Sequence, residues 1–205
     1  MTSPEPLPLF PLQSVLFPGG LLNLKVFEAR YLDLVAACLR EQRSFGVVCL
    51  RQGAEVGADA VSFEDIGVVA GVLDVDSTQA GILQVRCQGR ERFRIVGTAR
   101  QQEDGLWLAT RYETLPADDV ELPAAEVHAS VAALARAIAR LRSQGTMPFL
   151  EPLRLDNTGW VANRWCEILP IPLAAKQKLM ALESPSARLQ LVHDYLLGKG
   201  VIPQG

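Results

Sequence analysis

Residues 7–26 decide the fold, and they read LPLFPLQSVLFPGGLLNLKV. The prolines within 7–12 push the residues before them towards extended backbone, so this stretch predicts a first strand. Residues 17–20 are Phe-Pro-Gly-Gly. They predict a type II turn, because Pro suits the second position and Gly the third, where φ is positive. From residue 22 to residue 26 apolar and polar side chains alternate, which predicts a half-buried strand.

Short strands with one inserted helix continue from there to about residue 116. Apolar residues recur at helical spacing over 28–42, so we expect a helix there. Runs rich in Val, Ile and Phe predict further strands. These strands are expected at 45–50, 66–76 and 106–112.

A hairpin is predicted between strands at 82–88 and 92–96. Residues 89–91, Gly-Arg-Glu, would form a three-residue loop that pairs Cys87 with Phe93 on the core face.

The same register would place an arginine ladder on the opposite face, with Arg86 facing Arg94 and with Arg92 beside them. Like charges opposite each other repel, so Asp74 and Asp76 of the preceding strand are expected to compensate. One interpretation is a surface lattice of ion pairs, which contributes little to stability. The other is a contact for an anion or for RNA.

After residue 116 the period changes from two to that of a helix. Apolar residues at spacings of three and four predict one long helix over 123–143, and a shorter helix is predicted over 159–169. Ser184 followed by Pro is a cap with proline at the first helical position, which opens a last helix. We therefore expect an α+β protein with a β-rich lobe at 1–116 and a helical lobe at 117–205.

Composition excludes several classes of protein. The chain has 205 residues, of which 49% are hydrophobic and 21% charged, and its formal net charge is −3. This balance is typical of a globular protein and argues against a general nucleic-acid binder, which is usually basic. There is no run of eighteen apolar residues, so no membrane-spanning helix is expected. Five prolines in the first eighteen residues argue against a signal peptide.

Four cysteines are scattered without a C-x-x-C pair, and there are two histidines. Each cysteine lies in an apolar periodic segment, which favours buried free thiols in a reducing cytoplasm. A zinc site is not expected, since no ligand spacing typical of zinc is present. No cofactor is predicted.

A resemblance to a known family rests on the segments 7–12, 17–19, 26–31, 66–69, 85–89, 92–95, 169–170, 176–183 and 188–189. In their order and spacing they resemble the N-terminal substrate-binding domain of Lon proteases. The resemblance spans about 7–197 and implies a PUA-like β pseudobarrel with one inserted helix, followed by a C-terminal helical bundle. It also implies that the chain recognises polypeptides or a protein partner.

Catalytic motifs of a complete ATP-dependent protease are missing from the sequence. It holds no G-x-x-x-x-G-K-[ST] loop to cradle ATP phosphates. Ser130 and Lys176 could suggest a Ser–Lys dyad. The predicted helix around Ser130 has no glycine turn to expose its hydroxyl, so we expect a protein that is not an enzyme.

Apolar residues outside regular structure are the candidates for binding a polypeptide. They concentrate in the loop after the long helix, where Met147, Phe149 and Leu150 lie. Such a loop is either packed inside the protein or offered to a partner. Phe27 and Trp107 are the next candidates. Phe27 falls on the polar face of its strand, and Trp107 alternates with Leu106 and Leu108.

The function predicted from the sequence is a cytoplasmic, non-catalytic polypeptide- or protein-binding module. An RNA-binding PUA-like protein and an enzyme acting on a small molecule stay open as alternatives. Neither a membrane nor a nucleic-acid partner is expected, and the sequence does not determine the oligomeric state.

Overall fold

A computed structural model describes residues 5–52 and 61–203, apart from the side chains of Gln52 and Thr78. The outermost residues of both predicted lobes, 1–4 and 204–205, lie outside this part. The chain divides into two compact units, Met1–Ala117 and Asp118–Gly205.

The first unit holds nine strands and one helix in the described residues. They are β1 Leu7–Leu12, β2 Leu21–Val26, α1 Ala29–Glu41, β3 Phe45–Gln52, β4 Ser62–Phe63, β5 Ile66–Gln79, β6 Ile82–Ile95, β7 Ala99–Gln101, β8 Trp107–Ala109 and β9 Tyr112–Thr114. The strands form one mixed sheet in the order β2-β6-β5-β3-β1-β8-β7, while β4 pairs with β3 and β9 with β6. Only β1 and β3 run parallel among these pairs.

The opening of the chain folds as its sequence predicts. The amide of Gly20 donates to the carbonyl of Phe17 at 2.9 Å, and Gly19 has a φ of 71°. This hydrogen bond and a positive φ at the third residue are the features of a type II turn. Leu24 and Val26 are buried while Asn23 and Lys25 are exposed, which confirms the alternation expected for β2.

The predicted hairpin at 82–96 is wrong, because β6 continues through 89–91 without turning. β5 and β6 pair along their whole lengths, with Val68 opposite Arg92 and Ala70 opposite Gly89. Two steps on β5 therefore match three on β6, which is a β-bulge at the position where a loop was expected. A Cβ added to Gly89 would lie 2.2 Å from the carbonyl oxygen of Phe17. Glycine occurs here because another backbone comes close, not because the chain reverses.

The core of the first unit is formed by side chains of its strands. Its buried cluster includes Leu9, Val48, Val69 and Phe93. The two shifts of register that follow the bulge along β5 and β6 help these long strands to bend, since each extra residue increases the local twist.

The second unit contains the predicted helices with small shifts of their ends. The long helix is preceded by a single 3₁₀ turn at Ala125–Val127, and the last helix begins after a cap in which Ser184 Oγ accepts from the amide of Ala187. The α-helices are α2 His128–Ser143, α3 Thr158–Ile168, α4 Leu173–Ala181 and α5 Pro185–Gly198. The α+β class and the order of a β-rich part with one inserted helix before the helical part are confirmed.

Candidate functional site

An open groove of about 270 Å³ lies beside β2 in the first unit. Residues of β1, of β2 and of the first turn of α1 line the groove. Among the lining residues, Lys25 and Phe27 are exposed to solvent. Its volume falls just below the range of roughly 300–1,000 Å³ that is usual for small-molecule sites. The apolar part of its lining comprises Phe10, Leu12, Leu22, Leu24, Val26 and Tyr31.

Two aromatic rings stiffen the groove. Phe10 and Tyr31 stack with centroids 3.9 Å apart and planes inclined by 11°. The guanidinium of Arg30 lies 4.8 Å from the Tyr31 ring centroid, donates to the carbonyl of Gly105 at 2.9 Å and pairs with Glu28 at 2.7 Å. These contacts hold the first turn of α1 against β1.

β2 is an edge strand, because among the described residues it pairs with β6 alone. The amide of Gly89 donates to the carbonyl of Gly20 at 2.9 Å, so these two residues form a hydrogen-bonded pair. Such pairs alternate along an antiparallel ladder. The backbone groups of Leu22, Leu24 and Val26 therefore point to β6, and those of the residues between them point away from it.

Phe27 and Trp107 differ in exposure. Phe27 follows β2, and half of its surface, 50%, is exposed beside the groove. Trp107 is only partly exposed, since its ring meets Phe63 edge-on at 5.3 Å and packs on the core cluster. Phe27 therefore offers apolar surface next to the groove, whereas Trp107 mainly extends the core.

The apolar loop 146–153 belongs to the second unit, and its three candidate residues are not equivalent. Phe149 is 4% exposed. Its ring lies 6.2 Å from the Trp160 ring and 5.9 Å from the guanidinium of Arg164. Met147 and Leu150 are half-buried. For Phe149 the structure thus has the packed arrangement rather than the exposed one.

The predicted ladder, in which Arg86 faces Arg94, is wrong, because it depended on the hairpin and both residues lie on the same strand. Arg86 stands opposite Asp74 and is exposed, whereas Arg92 is 3% exposed and donates to the carbonyl of Pro116. Arg94 pairs with Glu113 at 2.8 Å. From Arg86 to Arg94 is eight residues along one strand, about 26 Å at the usual rise. The three guanidinium groups therefore do not form one anion-binding patch.

A buried arginine organises the helical unit, and sequence reasoning missed it. Arg188 is 1% exposed and donates to both carboxylate oxygens of Asp118, at 2.6 and 3.2 Å, and to Asn163 at 3.0 Å. It also donates to the backbone carbonyl of Leu179 at 2.9 Å. The polar residue Arg188 at a core position of α5 was the available signal, since an arginine is rarely buried unless paired.

A second missed pair joins Ser130 and His193. Ser130 Oγ and His193 Nδ1 are 2.8 Å apart, and Ser130 is fully buried. The indole of Trp165 donates to the carbonyl of the same serine at 3.0 Å. The buried hydroxyl of Ser130 and its hydrogen bond with His193 join α2 to α5.

Burial also shifts the pKa of titratable groups in both units. Burial raises the pKa of the Glu167 carboxyl to about 7, although the charge of the neighbouring Arg164 lowers it. Burial likewise raises the pKa of Cys87 and of Cys166 to about 12 and that of Cys49 to about 11. Thiols with such pKa values are poor nucleophiles at neutral pH.

Within residues 5–52 and 61–203, no cluster of His, Cys, Asp and Glu has the arrangement of a metal site. The helices of this same part are all too short or too polar to cross a membrane.

The mixed sheet with its free strand edge and the helical unit that follows it in sequence define an α+β protein of two units. Residues 6–198 match the family model described as the ATP-dependent protease La (LON) substrate-binding domain, and the chain belongs to that family. The resemblance noted in the sequence is thereby confirmed.

Relatives and solved structures agree with this assignment. The chain is 27% identical to a Lon protease of Anaeromyxobacter dehalogenans and 30% identical to one of Paraburkholderia phytofirmans, and these matches cover 94% and 95% of the chain. It spans only 23% and 24% of their lengths.

A crystal structure of a Lon N-terminal domain protein from Xanthomonas campestris has a TM-score of 0.74 at 29% identity. The match covers 93% of this chain and 98% of that one. The N-terminal domain of a Mycobacterium avium complex Lon protease, at 18% identity and a TM-score of 0.60, shares the fold; that match covers 93% of this chain and 97% of that chain.

Proposed function

We propose that this chain is a non-catalytic module that binds segments of polypeptide in the groove beside β2. The observation that carries the proposal is the groove itself, which combines a free strand edge, an apolar lining and the half-exposed ring of Phe27. Membership of a substrate-binding domain family supports the same function. The four buried free thiols are typical of proteins in a reducing compartment.

The absence of catalysis is part of the proposal. The sequence has no phosphate-binding loop of the Walker type, and Ser130 is fully buried in α2. The purified chain should therefore neither hydrolyse ATP nor cleave casein. Cleavage that co-purifies with the chain and is lost in Ser130→Ala would overturn this part.

An anisotropy titration with fluorescein-labelled, unfolded casein tests the binding. Phe27→Ser should weaken capture about fivefold, because burying the exposed half of a Phe ring contributes about 1 kcal/mol. Leu39→Ser is the matched control, since Leu39 lies in α1 outside the groove lining and is 51% exposed against 50% for Phe27. Equal affinities for the two variants would contradict the groove as the binding site.

Met147 and Leu150 form a second candidate surface in the helical unit. The same titration with Met147→Ser tests it, and a loss confined to this variant would move the binding site from the groove to the loop. The RNA alternative loses its main support, because Arg86, Arg92 and Arg94 do not meet.

A further inference from the structure

The free edge of β2 carries a row of backbone donors and acceptors beside the groove, whose lining includes Asn23 and Lys25. By the alternation set at Gly20 and Gly89, the N–H and C=O groups of Leu21, Asn23 and Lys25 point away from β6. Among the described residues, no turn or loop hydrogen bond reaches these three residues. Polar backbone groups of an edge strand pair readily with another extended chain.

Side chains beside this edge define what such a chain would need. Phe10, Leu12 and Tyr31 give the groove an apolar wall, and the exposed residues Asn23 and Lys25 line it on the side of β2. An added strand lies about 4.8 Å from β2, and its successive side chains point to opposite faces. Every second side chain would therefore meet the apolar wall, and those between would stay in water.

We propose that an extended polypeptide segment with alternating apolar residues adds to β2 as a further strand, pairing with Leu21, Asn23 and Lys25. This inference rests on the proposed function and specifies its mode. Main-chain hydrogen bonds supply affinity that does not depend on the sequence of the segment. The apolar wall favours segments in which every second residue is apolar. A proline at a residue that pairs with β2 would prevent binding, because proline has no N–H to donate.

An isolated segment suits this edge better than a second copy of the chain. Residues of β1 and of the first turn of α1 line the groove beside β2, so a second folded copy would have to bring its own strand past them. Lys25 is exposed at the same edge, and lysine on an edge strand is a common feature that opposes self-pairing. An isolated extended segment can enter the groove.

Amide hydrogen exchange by NMR, with and without a labelled probe peptide Lys-Thr-Val-Thr-Val-Thr-Val-Thr-Lys, tests the inference. Without peptide, the amides of Asn23 and Lys25 should exchange quickly and that of Leu24 slowly. Saturating peptide should slow exchange at Asn23 and Lys25 by about tenfold or more, because only hydrogen-bonded amides are protected. Unchanged exchange at both residues while the peptide binds would overturn strand addition and leave the proposed function intact.

N-methylation of the peptide tests the same pairing without altering the protein. Single N-methyl groups placed in turn along the peptide should weaken binding about five- to tenfold at every second position and little at those between. Uniform losses, or none, would overturn the inference.

Two protein variants complete the test. Lys25→Pro should lose peptide binding while Lys25→Ala keeps it, with far-UV circular dichroism used to verify that both are folded. If unfolded casein binds and the peptide does not, strand addition is wrong. If neither binds, the proposed function fails with it. Dimers in light scattering with protected Asn23 and Lys25 amides and no peptide would identify a second copy as the occupant and overturn the inference.

Discussion

Replacing Phe149 by alanine should lower the free energy of unfolding of the helical unit. The ring is 4% exposed and lies against Trp160 and the guanidinium of Arg164, which is itself fully buried. Removing a buried Phe side chain costs about 3–5 kcal/mol, because the transfer free energy is lost and a cavity is left. The edge-on contact with Trp160 is lost as well, and such aromatic pairs contribute about 0.5–1.5 kcal/mol in addition to the burial of their surface.

Denaturation followed by tryptophan fluorescence measures this loss, since Trp160 touches the site of the change. For a chain of this length each kcal/mol shifts the melting temperature by about 2–4 °C, so we expect a fall of roughly 6–20 °C. Met147→Ala, at a half-buried position of the same loop, is the control and should change stability much less.

A paired measurement of casein capture separates packing from binding. If Phe149→Ala leaves the denaturation midpoint unchanged, the burial argument is refuted. If it also abolishes capture, the loop rather than the groove contacts the polypeptide.

Three further changes test other contacts. Arg188→Met should destabilise by about 3–5 kcal/mol in a denaturant titration, because it leaves the carboxylate of Asp118 without its buried partner; a loss below about 1 kcal/mol would contradict this. The raised pKa of Glu167, about 7 against 4.5, means that the folded chain holds this proton more tightly, so unfolding free energy should fall as pH rises through that window. Glu167→Gln should flatten this slope, and identical pH profiles of the two proteins would refute the assignment. Gly19→Val should cost about 1–3 kcal/mol, since its φ of 71° strains a β-branched residue; an unchanged midpoint would show that the turn tolerates a side chain.

Local patterns were enough to predict most helices and strands. The alternation at 22–26, the turn at 17–20 and the cap at Ser184 each depend on neighbours in sequence, and each has the expected geometry. The ends of α1 and α3 fall within one residue of the predicted positions.

Contacts between distant residues were beyond the same reasoning. A glycine followed by charged residues indicates a loop as readily as a bulge, and only the approach of the Phe17 carbonyl to Gly89 distinguishes the two. The error at 89–91 paired Arg86 with Arg94, whereas Arg86 lies opposite Asp74 and Arg94 pairs with Glu113. Phe149 is a similar case, since a Phe in an irregular segment is buried or exposed according to helices that come later in the chain.

The candidate site depends on the register that the opening turn sets. The amide of Gly19 donates to the carbonyl of Gly89 at 2.8 Å, and the amide of Gly89 donates to the carbonyl of Gly20 at 2.9 Å. These bonds fix which residue of β6 lies opposite each residue of β2. A slip by one residue would turn Leu24 and Val26 outward and would exchange the amides that face the groove. The segment 17–26 therefore determines both the buried face of β2 and the hydrogen-bonding pattern of its free edge. Under the proposed function, a change in this turn should alter binding even where the groove residues are intact.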